Sequence, residues 1–157
     1  MNKKPFTLYL LALILVFQSL GGLFGGLSLV SSPSGEIMKM PVSILEGSPF
    51  HDFLVPGLIF LLFLGLLPGI LAFALLRSPE WNRAGVLNMY PGIHWASTYS
   101  LYTGIMLVIW ILAEIIWIED DILHTFFGLL SVVIVVLTLM PSNMSHFGWG
   151  NPQQTNC

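Results

Sequence analysis

Residues 53–76 carry no ionisable side chain, and this run is closed by Asp52 at one end and Arg77 at the other. A helix rises 1.5 Å per residue, so about 20 apolar residues cross a hydrocarbon layer about 30 Å thick. Three further runs have the same character: 6–30, which follows Lys3 and Lys4; 96–118, interrupted only by Glu114; and 122–140, stopped by Pro141. In lipid the backbone must satisfy its own hydrogen bonds, so even the Val- and Ile-rich fourth run is expected to be helical. Composition agrees, since 55% of residues are hydrophobic and 8% are charged, against roughly a quarter charged in soluble domains. The expected fold is an all-α integral membrane four-helix bundle, antiparallel and up-down, in a single domain over 1–157. The lipid bilayer is its first partner.

Only Glu119, Asp120 and Asp121 separate the third and fourth runs. So short a connection predicts that these two helices are antiparallel neighbours. Orientation follows from the cations, which are retained on the cytoplasmic side. With both termini cytoplasmic, Lys3, Lys4, Arg77 and Arg83 lie inside and only Lys39 lies outside. Trp81, Tyr90 and Trp95 then flank the inner ends and Trp117 the outer end of the third run, where amphipathic rings favour the headgroup region. The first run also contains Ser19-Leu20-Gly21, a pattern that a signal peptidase can read, but residues 22–30 stay apolar and the run is expected to remain as a span.

The outer loop over 31–52 mixes Pro33, Pro41 and Pro49 with Ile37, Met38, Met40, Val42, Ile44 and Leu45. It is expected to lie on the membrane surface or to cap the bundle. The tail over 141–157 has no charged side chain and is expected to be a flexible cytoplasmic tail.

Gly21, Gly22, Gly25 and Gly26 form two overlapping small-xxx-small pairs in the first run, which predicts close approach of another backbone, within the chain or in a second copy. In the second run Pro56 falls in the first turn, whereas Pro68 predicts an interior break that could serve a transport path. Near the outer ends, Glu114 and His124 are expected at similar depth on the third and fourth helices. With Asp121, three residues before His124, and with His51 or Asp52, they form a candidate outer polar site for a metal ion or a proton. The alternative is that Asp121 caps its helix, Glu114 reaches toward headgroups and His124 makes one hydrogen bond.

Cys157 is the single cysteine, which excludes an internal disulfide, a CxxC redox pair or a thiolate zinc site. Paired haem ligands would need two histidines on facing helices at equal depth, and His51 and His146 lie outside the spans while His94 and His124 fall near opposite ends; the sequence calls for no cofactor. No GxSxG, HExxH, P-loop or GxGxxG occurs, so no catalytic residue is assigned. A net charge of −3 excludes the basic field that nucleic-acid binding requires.

The stretch Gly47-Ser48-Pro49-Phe50-His51-Asp52-Phe53-Leu54-Val55-Pro56-Gly57, entering an apolar helix, resembles a segment of small uncharacterised bacterial four-span membrane proteins with no assigned activity. The resemblance implies a bacterial inner-membrane location and carries no site residue. The expected role is a non-enzymatic accessory or interaction subunit, with a homo-oligomer or another membrane protein as partner. The rival expectations are a small oligomeric transporter or channel subunit, and a membrane enzyme acting on lipid or quinone at the outer face.

Overall fold

A computed structural model describes residues 4–78, 86, 88–89, 93–117 and 122–147. The elements are α1 (Phe6–Ser31), α2 (Leu54–Arg77), α3 (Trp95–Trp117), α4 (Ile122–Thr138) and α5 (Pro141–His146), with a 3-10 turn at Val42–Leu45; no strand occurs among the described residues. Three helices are long and apolar enough to cross a membrane, Phe6–Ser31, Leu54–Arg77 and Trp95–Ile116, as in a multi-pass membrane protein. α4 is apolar but shorter. α1 packs against α2 and α4, and α3 packs against α4 and α2.

The buried stripe of α1 runs Leu8, Leu11, Ala12, Leu15, Gln18, Ser19, Gly22 and Gly26, the spacing of one helical face. Its aromatic residues point the other way: Phe6, Phe17 and Phe24 are exposed. Small residues face inward because lipid is as apolar as a leucine side chain, so helices associate through close packing rather than through withdrawal of apolar surface from solvent. A Cβ on Gly22 would overlap the Leu64 carbonyl and lie 2.5 Å from Gly65 N, and one on Gly26 would lie 2.6 Å from Leu61 Cα. From the α2 side, a Cβ on Gly65 would lie 3.0 Å from Gly22 C, and one on Gly57 would lie 2.8 Å from Leu29 Cβ. As α1 advances it meets successively earlier residues of α2, so the two backbones run in opposite directions in contact.

α2 is continuous through Pro68, where the sequence predicts a break. The seven residues Phe60–Leu66 are wound as a π-helix, in which Leu67 N–H donates to Leu62 O. Pro68 has no N–H for Leu64 O, its acceptor in a regular helix. Two α1 side chains serve this bared stretch: Gln18 Nε2 donates to Leu64 O at 3.5 Å, and Ser19 Oγ donates to Gly65 O at 2.7 Å. Wider winding and polar groups from the neighbouring helix together replace the break.

Two boundaries differ from expectation. α4 ends at Thr138 and not at 140, because Met140 precedes Pro141 and is held extended (φ −62°, ψ 134°). The segment after it is not a loose tail up to residue 147. Pro141 opens α5 at a position where its missing N–H costs nothing. Asn143 is buried, donating to Leu137 O at 2.7 Å and accepting from Thr7 Oγ1 at 2.8 Å, and Phe147 joins the core. Lys4 Nζ donates to Leu76 O, so Lys4 just before α1 holds the end of α2 while Thr7 in its first turn holds α5. Residues 148–157 lie outside the described residues.

Candidate functional site under the 32–53 loop

The long loop is folded back on the helices. Gly35 adopts φ 78°, Met40 N–H donates to Gly35 O at 3.0 Å, and Phe53 N–H donates to Pro33 O at 3.0 Å, which pins the two ends of the loop together. Phe53 is buried. Of the two sequence expectations for the loop, the structure adopts the cap. Met40, Ile44, Leu45 and Phe50 form one wall of a cavity of about 120 Å³, and Leu29, Pro56, Trp110, Ala113 and Glu114 line the rest. The loop's apolar residues were the sequence signal for this cavity, although nothing in their spacing located the opposite wall.

Glu114 gives the cavity its charged group. Its Oε2 lies 3.6 Å from His124 Nε2 across the α3–α4 contact, with the His124 side chain 10% exposed and that of Glu114 26% exposed. Trp110 stands one turn before Glu114 on the same helix. Its buried indole N–H faces the carboxylate but lies outside hydrogen-bond geometry. The Trp110 ring is fixed by an edge contact with Phe60, centroids 5.5 Å apart, and Phe60 in turn fills the space that Gly25 leaves open. Ser48, the other polar lining residue, is occupied locally: its Oγ accepts from Phe50 N–H at 3.2 Å.

Of the other members of the expected outer site, the two described ones are placed apart from this pair. Asp52 Oδ1 accepts from Leu54 N–H at 2.9 Å and thereby caps α2, and His51 is exposed. Asp121 lies outside the described residues, as do Glu119 and Asp120. Among the described residues no three His, Cys, Asp or Glu side chains come close enough to hold a metal ion.

The four glycines divide into two pairs. Gly22 and Gly26 meet α2, whereas Gly21 faces the Phe127 ring of α4 with a Cβ distance of 3.4 Å and Gly25 faces Phe60. Both pairs have the same i, i+4 spacing, so the sequence could not say which pair meets a backbone. Many of the buried hydroxyls are satisfied within their own helices: Ser100 on Ala96 O, Thr103 on Tyr99 O, Ser131 on Gly128 O and Thr138 on Ile134 O.

No family model, curated protein or solved structure matches this chain.

Proposed function

We propose that the protein is a non-enzymatic accessory subunit in a membrane, and that its outer end holds a cavity that takes up a small apolar molecule from the bilayer. The observation that carries this reading is the cavity between the loop wall Met40–Ile44–Leu45–Phe50 and the α3 residues Trp110, Ala113 and Glu114. Binding sites of this kind combine apolar walls with a few placed polar groups, and Glu114 with Trp110 supplies that combination.

In this reading α1, α2, α3 and the shorter α4 all span, as an antiparallel up-down bundle with both termini in the cytoplasm. The successive helix contacts and the four-to-one cation asymmetry support it. α4 covers about 25 Å at 1.5 Å per residue, which a locally thinned bilayer accommodates at modest cost. The resemblance of residues 47–57 supports a bacterial inner membrane. The self-satisfied hydroxyls count against a hydrated transport path through the helices.

The test is photolabelling of the full chain in membranes with a small apolar diazirine, followed by mapping of the adducts. Adducts concentrated at residues 40–50 and 110–114, and lost in Ala113→Trp, are expected. Labelling spread evenly over the exposed leucines and phenylalanines of α1 and α2, with none at the cavity, refutes the reading.

A further inference from the structure

At the end of the helices opposite the cavity, two basic side chains are held near each other. Lys4 precedes α1, and its ammonium is fixed by donating to Leu76 O at the end of α2. His146 closes α5, whose place is set by the bonds of Thr7 to Ser142 and Asn143, and its ring stands edge to face with Phe147, centroids 5.0 Å apart. Burial first, and then the neighbouring Lys4, hold the His146 pKa below its ordinary 6.5. Arg77 follows Leu76 and adds a third positive charge at the same end of α2. Among the described residues none of these three forms an ion pair. His94, ahead of α3, also packs on the Phe147 ring at 5.7 Å, but its Nδ1 accepts from Ala96 N–H and so serves α3. The nearby hydroxyls are engaged as well: Thr7 Oγ1 donates to Asn143 Oδ1 and pairs with Ser142 Oγ, and Ser145 Oγ donates to Ser142 O. The donors that remain are the other ammonium N–H groups of Lys4 and the His146 ring, which presents N–H at both nitrogens when charged. Neighbouring like charges disfavour each other until an anion joins them. A phosphate accepts charge-assisted hydrogen bonds from both groups. Lys4 lies just before a helix long and apolar enough to cross a membrane, which sets the pair at the level of the lipid headgroups.

We propose that Lys4 and His146 bind the phosphate of an anionic phospholipid in the leaflet that surrounds this end of the helices. The site is separate from the cavity, so its failure would leave the cavity reading untouched. The full chain is placed in nanodiscs of phosphatidylcholine alone and of phosphatidylcholine mixed with phosphatidylglycerol. The His146 pKa is read from its ring NMR signals beside that of His51, which is exposed on the 32–53 loop and reports the general surface potential. In the anionic discs the His146 pKa is expected to rise by more than that of His51, and native mass spectrometry should find phosphatidylglycerol retained over phosphatidylcholine. Lys4→Gln should weaken that retention about fivefold, the effect of one cation near an anionic membrane surface, and remove the extra rise at His146. Lys39→Gln, at the opposite end, should leave the His146 rise as it is. His146→Arg should keep the retention that His146→Gln loses, which a purely structural role of the ring would not produce. Equal rises at His146 and His51, retention unchanged by Lys4→Gln, or equal losses in His146→Arg and His146→Gln would each overturn the proposal. The same extra rise on adding inorganic phosphate to the phosphatidylcholine discs would overturn the lipid as the source of the anion.

Discussion

Gly22→Ala adds one methyl group where the structure has no room for it, while Gly21→Ala, one position earlier, adds the same methyl where the space is ordinary. At position 22 the new Cβ overlaps the Leu64 carbonyl and sits 2.5 Å from Gly65 N, against the 3.4 Å at which ordinary contact begins. The obstacle is backbone, so no side-chain rotation relieves it and α1 must move off α2. That displacement lengthens the 2.7 Å bond from Ser19 Oγ to Gly65 O beyond hydrogen-bonding range. Overpacking of this kind costs about 1–3 kcal/mol, and an interhelical hydrogen bond in a membrane contributes about 0.6 kcal/mol on average. The expected loss for Gly22→Ala is therefore about 2–4 kcal/mol. At position 21 the Cβ lies 3.4 Å from the edge of the Phe127 ring, and alanine's higher helix propensity acts in its favour by up to about 1 kcal/mol. Equilibrium unfolding of the purified chain in mixed micelles, with each variant measured beside the parent, reads the difference directly. Equal effects of the two substitutions would refute the argument, because propensity and composition treat the neighbouring glycines alike and only the α1–α2 contact separates them.

Asn143→Ala should destabilise the chain by about 1–3 kcal/mol and free the first turn of α1; combined with Thr7→Val the losses should not add, and full additivity in a double-mutant cycle would argue against their contact. Ser19→Ala should cost about 0.6 kcal/mol and increase hydrogen exchange at Pro68-proximal amides of α2, with unchanged exchange there counting against the role given to the hydroxyl. Burial, and secondarily Lys4, lowers the pKa of His146 below its ordinary 6.5. The unfolded chain then takes up the proton first, so its contribution is present above pH 6.5 and falls away as pH drops toward the folded value. His146→Gln should flatten that part of the stability profile, and a profile unchanged by the substitution would contradict the assignment. A reporter fused at the carboxyl terminus should be active in the cytoplasm; activity confined to the other side would reverse the orientation.

The spans were legible because an uncharged run has sharp ends: 6–30 and Phe6–Ser31, 53–76 and Leu54–Arg77, and 96–118 and Trp95–Trp117 differ by one residue at each end or less. What was not legible depended on neighbours. Pro68 announces a missing donor locally, but whether the helix breaks or rewinds is decided by Gln18 and Ser19, about 50 residues earlier in the chain. Pro141 reads equally as the stop of one helix and the start of another, and only the burial of Asn143 between Thr7 and Leu137 selects the second. Glu114 and His124 could be matched in depth from the helical rise, whereas the Trp110 neighbour and the loop wall required the fold.

The division of contacts among the helices also sets an order of events during synthesis. α1 leaves the ribosome with Gly22, Gly26 and two polar side chains on one face, and the surface that complements it belongs to the very next helix. α3 and α4 are related in the same way, through Glu114 with His124 and through Gly104, whose Cβ would meet Val135 at 2.7 Å. Each pair can therefore close as soon as its second member has been made, before the rest of the chain exists. The docking of α5 onto Thr7 joins the two ends of the described chain, so it comes last, and a nascent chain halted before residue 141 would hold its four packed helices without that clasp.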